Sequence, residues 1–198
     1  MAGGTLPRRR VVARVLAERP DDLLVITGLG TPTYDVAACG DSERNFYLWG
    51  AMGSALPLGL GLALARPDNR VLVVTGDGEL LMALGALATV GVRRPENLSL
   101  LVLDNEAYGE TGGQDSHTAA QIDLCAVALG CRWLRAETFA EEAALEGLRG
   151  FLLDRPGPAL AVAKIGRGEE PRVLPSRDGH ELRSRFRRAL RGEDGLSE

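Results

Sequence analysis

The sequence has 198 residues, of which 45% are hydrophobic and 25% are charged, and these proportions are typical of a globular protein with its own core. The formal net charge of −4 argues against binding nucleic acid through bulk electrostatics. No segment has the apolar length of a membrane span or the pattern of a signal peptide, so neither nucleic acid nor a membrane is expected as a partner.

Short apolar runs alternate along the chain with longer helical patterns, and this alternation predicts an α/β fold. Strands are predicted at 23–27, 45–49, 70–75, 98–104, 131–135 and 158–165. Helices are predicted at 7–19, 53–66, 79–92, 118–129, 138–153 and 178–190. Because the strands are continuous runs rich in Val and Leu, we expect a parallel six-stranded sheet in three layers, with helices on both faces.

We expect one domain over residues 1–198, with a core at about 22–190 and frayed ends at 1–6 and 191–198. The basic clusters at 8–10 and 183–188 are interpreted as solvated helix ends. Cys39, Cys125 and Cys131 are odd in number and lack a CxxC spacing, which predicts reduced core residues and a cytoplasmic location.

A glycine–aspartate–glycine sequence, Gly76-Asp77-Gly78, stands where a predicted buried strand gives way to a helix. Ligands of open parallel sheets collect beyond the carboxyl ends of the strands, and glycine lets the backbone approach them. The next strand ends in Asp104-Asn105, so Asp77 and Asn105 are expected to direct oxygens to a common point. Such oxygens beside a phosphate suit magnesium, whereas the plain alternative for this sequence is an ordinary turn.

Gly76-Asp77-Gly78 followed by DNEAYG at 104–109 resembles the diphosphate-binding motif of thiamine-diphosphate enzymes. The resemblance implies thiamine diphosphate and magnesium as cofactors, with Asp77, the Asn105 side chain and the Ala107 carbonyl as metal ligands. It also implies a set of residues that contact the cofactor in this region: Gly76, Asp77, Gly78, Glu79, Asn105, Ala107, Tyr108, Gly109, Glu110 and Thr111. Glu79 is interpreted as a helix-dipole residue and not as a catalyst. The family usually has two adjacent asparagines, so Asp104 adds a negative charge near the inferred ligands.

The segment at 45–65 is similar to the loop that receives the cofactor's pyrimidine in the same family. The resemblance implies that the Gly50 carbonyl accepts a hydrogen bond from the cofactor, that Ala51 adjoins it, and that Met52 is an apolar wedge beneath the bent cofactor. The alternative is that Met52 is ordinary core and 53–65 an ordinary packing helix.

A narrower likeness extends over 80–91, 107–119, 156–165 and the basic C-terminal helix at 181–190. These segments resemble sulfopyruvate decarboxylase β subunits and the C-terminal part of phosphonopyruvate decarboxylases. The likeness implies a cofactor-binding β subunit of a two-component 2-oxoacid decarboxylase. A pyrimidine-binding α subunit would then supply the activating glutamate at an α–β interface, which makes the expected assembly a hetero-oligomer.

The glycine-rich segment at 110–117 supplies the candidate catalytic residues, Glu110 and His117. His117 is suited to donate a proton or to pair with an anionic substrate, and its alternative is a solvated loop histidine. Three other functions stay open. They are an acyloin-forming or acyl-transferring subunit, a 2-oxoacid:acceptor oxidoreductase β subunit, and a non-enzymatic scaffold that binds thiamine diphosphate.

Overall fold

The computed structural model describes residues 5–191, and its strands and helices alternate along most of this length. The strands are β1 Leu23–Thr27, β2 Asn45–Tyr47, β3 Arg70–Gly76, β4 Leu98–Asp104, β5 Ala107–Tyr108, β6 Gln114–Asp115, β7 Arg135–Phe139 and β8 Ala159–Lys164. The α-helices are α1 Arg8–Leu16, α2 Thr31–Ala38, α3 Ala55–Ala65, α4 Asp77–Met82, α5 Gly85–Arg93, α6 Leu124–Gly130, α7 Leu145–Leu153 and α8 Gly179–Arg191. Short 3₁₀ helices lie at Gly109–Thr111, His117–Ala120 and Glu142–Ala144.

Six strands form one parallel sheet in the order β2-β1-β3-β4-β8-β7, which confirms the predicted fold class. β3 and β4 are neighbours, with Gly76 opposite Leu103, so their carboxyl ends lie side by side. The remaining strands, β5 and β6, form a small antiparallel hairpin just beyond the end of β4.

The sheet is buried on both faces, and this explains why its strands are continuously apolar. Val25, Leu72 and Leu101 lie in the hydrophobic cluster that includes residues of α1, α2 and α7. The residues next to them in sequence lie in the opposite cluster, with α3, α5 and α6. Alternate side chains of each strand therefore support the two outer layers.

The strand predicted at 131–135 is wrong, because the edge strand β7 begins only at Arg135. Trp133, in the predicted segment, is buried in the preceding loop, and its indole Nε1 donates to the Leu87 carbonyl at 2.9 Å. The apolar character of 131–135 thus comes from loop packing against α5. The edge strand itself is polar and half exposed.

Several predicted helices have different limits or are interrupted. Asp123 caps α6 by accepting from the Ala126 amide at 3.0 Å, so the helix predicted at 118–129 begins at Leu124 after a separate 3₁₀ turn. The helix predicted at 138–153 begins only at Leu145, because 138 belongs to β7. The helix predicted at 79–92 is divided into α4 and α5 just before Gly85, a residue of low helix propensity. Helix α2 was not predicted.

The expected fraying at 1–6 is wrong for Leu6, which is 2% exposed and pairs with Ile165 beside the sheet. Residues 1–4 and 192–198 lie outside the described residues. The basic cluster at 8–10 is not wholly solvated, because Arg8 and Arg9 form ion pairs with the buried Asp35 at 2.7 and 3.3 Å. The cysteines are free, as predicted, although of the three only Cys125 is buried. Between residues 5 and 191, every helix falls short of the length and apolar content that crossing a membrane requires.

Candidate functional site

A cavity that is partly open to solvent lies at the adjoining carboxyl ends of β3 and β4. Except for Gly50 and Ala51, all the residues predicted to contact the cofactor line it: Met52, Gly76, Asp77, Gly78, Glu79, Asn105, Ala107, Tyr108, Gly109, Glu110 and Thr111. The lining also includes residues that the sequence did not single out: Leu29, Thr31, Pro32 and Leu103. The fold thus brings two distant motifs and the Met52 loop to one cavity.

Asp77 begins α4 and is only 1% exposed. Its Oδ2 accepts hydrogen bonds from the Ser116 hydroxyl and, at 3.1 Å, from the Thr118 hydroxyl. Burial raises the pKa of Asp77, while the hydroxyl bonds act in the opposite direction. Burial disfavours the negative charge of this side chain. A divalent cation nearby would compensate that charge and strongly favour the ionised carboxylate.

The loop after β4 holds Asn105 in a tight turn. The Asn105 Oδ1 accepts from the Ala107 amide at 3.0 Å, and Glu106 between them has a positive φ of 60°. Arg167 supports this strained backbone by donating to the carbonyls of Asn105, at 3.1 Å, and Glu106, at 2.9 Å. The position of the inferred ligands therefore depends on an arginine about 60 residues further along the chain.

The carbonyl of Ala107 points away from the β5–β6 hairpin. The Glu106 carbonyl accepts from the Ser116 amide at 3.1 Å, and the Tyr108 carbonyl accepts from the Gly113 amide at 2.9 Å. Because consecutive carbonyls of a strand point to opposite sides, the Ala107 carbonyl between them faces away from β6. It remains available to a metal ion in the cavity that Ala107 lines.

The glycine-rich segment at 110–117 turns back on itself, with positive φ values of 118° at Gly112 and 76° at Gly113. This turn returns the chain to the end of β3, where Ser116 and Thr118 reach Asp77. Gln114 stays in the hairpin and donates to the Thr111 carbonyl at 3.0 Å.

Asp104, the departure from the two-asparagine pattern, is paired with a cation. It is 1% exposed, and its Oδ2 lies 2.7 Å from Lys164 Nζ, which also lies 3.0 Å from Glu106 Oε1. Its Oδ1 accepts from the Thr118 hydroxyl at 2.8 Å. Although burial lowers the pKa of Lys164, hydrogen bonds to Asp104 and Glu106 hold that pKa above its usual value.

Glu79 lies in the first turn of α4, as its interpretation as a helix-dipole residue requires, but its side chain is also buried inside the site at 4% exposure. The carboxylate accepts from the Leu29 amide and the Thr75 hydroxyl, both at 3.0 Å, and from the Gly53 amide at 3.3 Å. It therefore joins the end of β1, the end of β3 and the Met52 loop. A Cβ on Gly28 would lie 1.8 Å from Glu79 Oε2, so a larger residue there would displace the carboxylate from this position.

The pyrimidine-type loop forms an open end of the cavity. Ala51 is exposed, and neither it nor Gly50 belongs to the lining. Met52 lines the cavity but is 37% exposed, so the alternative that it is ordinary core is wrong. The wedge role of Met52 stays a prediction.

The two candidate catalytic residues have different surroundings. Glu110 lines the cavity, and its carboxylate lies 3.9 Å from the Arg172 guanidinium. His117 is exposed and does not belong to the cavity lining. The catalytic roles of both remain predictions.

The sequence reasoning missed the residues that hold the inferred ligands: Ser116, Thr118, Lys164 and Arg167. Hydroxyl residues that soon follow a glycine-rich turn are a weak signal for the first two. Lys164 and Arg167 had no local signal, since they reach the site only through the pairing of β8 with β4 and the segment that follows β8.

The donor set fits a magnesium–diphosphate group. It combines the buried carboxylate of Asp77, the side-chain amide of Asn105 and the carbonyl of Ala107, which faces away from β6. All three line a cavity in which glycines leave room for a ligand. Gly78 is one of these glycines, because a Cβ there would lie 2.5 Å from the Tyr108 ring. In the described part of the chain, no group of three or more His, Cys, Asp or Glu side chains is placed to hold a metal ion. With these three protein ligands, phosphate oxygens and water would complete the octahedron that magnesium prefers.

Comparison with known proteins gives relatives across most of the chain. It is 38% identical over 189 residues to the sulfopyruvate decarboxylase subunit beta of Methanothermobacter thermautotrophicus, covering 94% of this chain and 97% of that one. It is 40% identical over 121 residues to the subunit of the same name from Methanocaldococcus jannaschii, covering 61% and 64%. It is 39% identical over 185 residues to the phosphonopyruvate decarboxylase of Streptomyces viridochromogenes, and the match covers 91% of this chain and 45% of that one.

A solved structure from Mycobacterium smegmatis, assigned as a thiamin diphosphate-dependent enzyme, shares the fold with a TM-score of 0.71 at 20% identity. The match covers 83% of this chain and 32% of that one. Residues 29–163 match the family described as thiamine pyrophosphate enzyme, C-terminal TPP binding domain. The chain belongs to this family of thiamine pyrophosphate enzymes and carries their C-terminal cofactor-binding domain.

Proposed function

We propose that this chain is the β subunit of a two-component thiamine-diphosphate-dependent 2-oxoacid decarboxylase, and that it binds the Mg²⁺-diphosphate end of the cofactor. The observation that carries the proposal is the convergence of Asp77, Asn105 and Ala107 on one cavity at the ends of β3 and β4. The likeness to the Methanothermobacter β subunit over nearly the full length of both chains supports the choice of subunit.

In the proposed site, Asp77, the Asn105 side chain and the Ala107 carbonyl hold the magnesium ion. Ser116 and Thr118 orient the Asp77 carboxylate, and Arg167 fixes the backbone of the loop. When bound, thiamine diphosphate supplies the electron sink for loss of the substrate carboxylate. The chain's own contribution is to bind the cofactor, orient it and keep water from its diphosphate end.

The partner in this proposal is an α subunit with a pyrimidine-binding domain that supplies the activating glutamate. The exposed Ala51 and Met52 support this partner, because a partner surface could cover both side chains at that end of the cavity. The β-subunit names of three similar archaeal proteins also support it. We propose the cytoplasm as the location, which the free thiols accommodate.

The substrate class in this proposal is a 2-oxoacid with a second anionic group, such as a sulfonate or phosphonate, as the names of the relatives suggest. Decarboxylation releases carbon dioxide and, after protonation, leaves an aldehyde. Glu110 and His117 are the candidates in this chain for contact with the substrate or for proton transfer.

The test is co-expression with the candidate α subunit, followed by a screen of 2-oxoacids for release of carbon dioxide and aldehyde. We expect turnover with sulfopyruvate or phosphonopyruvate, and none when the complex carries Asp77→Ala. Formation of an acyloin without free aldehyde would replace the decarboxylase assignment with the acyloin-forming one. A complex that binds thiamine diphosphate but transforms none of these compounds would contradict the proposed activity.

A further inference from the structure

Asp104 connects both sides of the proposed metal-ligand set. Its Oδ1 accepts from the Thr118 hydroxyl at 2.8 Å, and Thr118 lies 3.1 Å from Oδ2 of Asp77. The same Oδ1 accepts from the Glu106 amide at 3.0 Å, in the middle of the loop that carries Asn105 and Ala107. One carboxylate therefore contacts the support of Asp77 and the backbone between the two other ligands.

A carboxylate at this place needs a counter-charge, because it is 1% exposed and belongs to the same hydroxyl network as Asp77. Lys164 Nζ supplies it, at 2.7 Å from Oδ2 of Asp104. A buried carboxylate that loses its partner is strongly disfavoured, whereas a neutral amide of the same shape is not.

The position of Lys164 is fixed by the sheet and not by a mobile loop. β4 and β8 are parallel neighbours, and Asp104 is the register partner of Lys164. Lys164 is the only lysine in a sequence that otherwise uses arginine for its cations. A compact ammonium can bond to Asp104 and, at 3.0 Å, to Glu106 without the planar spread of a guanidinium.

We propose that Lys164 is a positioning residue for the magnesium site. It acts through Asp104, whose negative charge it balances. Asp104, paired with Lys164, holds the Thr118 hydroxyl at 2.8 Å, and the single hydrogen of that hydroxyl is shared with Asp77 at 3.1 Å. Asp104 also fixes the Glu106 amide in the loop that presents Asn105 and Ala107. This pair offsets the negative charge that replaces the first asparagine of the family's usual motif. The inference depends on the metal ligands proposed above.

The experiment is a calorimetric titration of the full chain with magnesium at saturating thiamine diphosphate. Where the α subunit co-purifies, the complex is titrated instead. The variants are Lys164→Met, Asp104→Asn, the double variant with both changes, and the charge-conserving Lys164→Arg. The matched control is Arg185→Met, which breaks a 2.6 Å ion pair with Asp41 away from the cavity, where the arginine side chain is 13% exposed. Thermal unfolding of each variant without ligand separates stability from affinity.

We expect Lys164→Met to weaken magnesium binding by about 10–100-fold, the usual effect of losing an outer partner of a metal ligand. The double variant should recover most of that loss, because it has no unpaired charge, and Lys164→Arg should stay closer to the wild type than Lys164→Met. Arg185→Met should lower the unfolding temperature without changing magnesium affinity.

Unchanged affinity in Lys164→Met, or an equal loss in the double variant, would overturn the proposal. If Lys164→Met does not fold, a folded double variant that binds magnesium like the wild type supports it, and one that binds as weakly as Asp77→Ala contradicts it. Failure of the wild type itself to bind magnesium with thiamine diphosphate would refute the assigned metal ligands, and the inference with them. Binding without any decarboxylation would leave the inference standing and contradict only the proposed activity.

Discussion

The two ends of the cavity differ in how completely this chain builds them. At the diphosphate end, Asp77 is 1% exposed and two hydroxyl groups contact its carboxylate, while Arg167 and Lys164 secure the loop after β4. At the pyrimidine end, Met52 is 37% exposed and Ala51 is exposed. Since a reacting centre must be shielded from water, we infer that a second surface covers the open end in the active protein.

The apolar surface beside the open end supports this inference. A Cβ on Gly53, next to Met52, would lie 3.1 Å from the Cβ of Ala83, which follows Met82. Met82 is 62% exposed. The two exposed methionines thus lie on neighbouring segments, and adjoining exposed apolar side chains are typical of an interaction surface.

Asp77→Ala is the change with the largest expected effect, because it removes the proposed charged metal ligand from the diphosphate end. Binding of thiamine diphosphate with magnesium should weaken by more than the roughly 10–100-fold typical of outer-shell partners. Calorimetric titration measures this, with Asp68→Ala as a control at an exposed position. Unchanged affinity in a folded Asp77→Ala protein would remove Asp77 from the site.

Met52→Ala tests the open end. If Met52 is the wedge beneath the cofactor, losing about 2 kcal/mol of imposed strain should slow turnover of the complex roughly 30-fold at saturating cofactor. The fold should stay intact because Met52 is 37% exposed. Met82→Ala is the control for loss of an apolar side chain from the neighbouring surface. A rate equal to the wild type at saturating cofactor would limit Met52 to packing.

Glu79→Gln tests the link between the two ends and has the smallest expected effect on activity. The amide replaces an acceptor that three donors share, so one of them is left facing an NH₂ group. We expect a loss of about 1–3 kcal/mol in the free energy of unfolding. Hydrogen exchange should also accelerate at the Leu29 and Gly53 amides, and Glu96→Gln, at an exposed position, is the control. Equal protection of both amides in the two variants would argue against a linking role.

The parallel sheet and the place of Asp77 and Asn105 at neighbouring strand ends could be predicted because both depend on local patterns. Strands such as 70–75 and 98–104 are buried on both faces and therefore read as continuous apolar runs. β7 could not be located this way, because an edge strand is half exposed and its polar sequence carries no such signal. Helix α2 escaped prediction because it is short and contains Pro32 and two threonines, which weaken the helical pattern although proline is accepted in a first turn.

The supports of the site could not be predicted because they come from distant parts of the chain. Lys164 meets Asp104 through strand register, and Glu79 is buried only because the ends of β1 and β3 and the Met52 loop converge on it. A glutamate at a predicted helix start indicates an interaction with the helix dipole and carries no signal of burial. Its burial follows from the three donors that surround it.

The comparison of the two ends is tested most directly by the preference of the protein for thiamine diphosphate over pyrophosphate, each titrated with magnesium. If this chain builds only the diphosphate end, the chain alone should bind the two compounds with similar affinity and should release no carbon dioxide from a 2-oxoacid. In complex with the α subunit, thiamine diphosphate should bind much more tightly than pyrophosphate, and turnover should appear. A chain that prefers thiamine diphosphate as strongly alone as in the complex, or that decarboxylates a 2-oxoacid alone as a monomer by light scattering, would contradict the account.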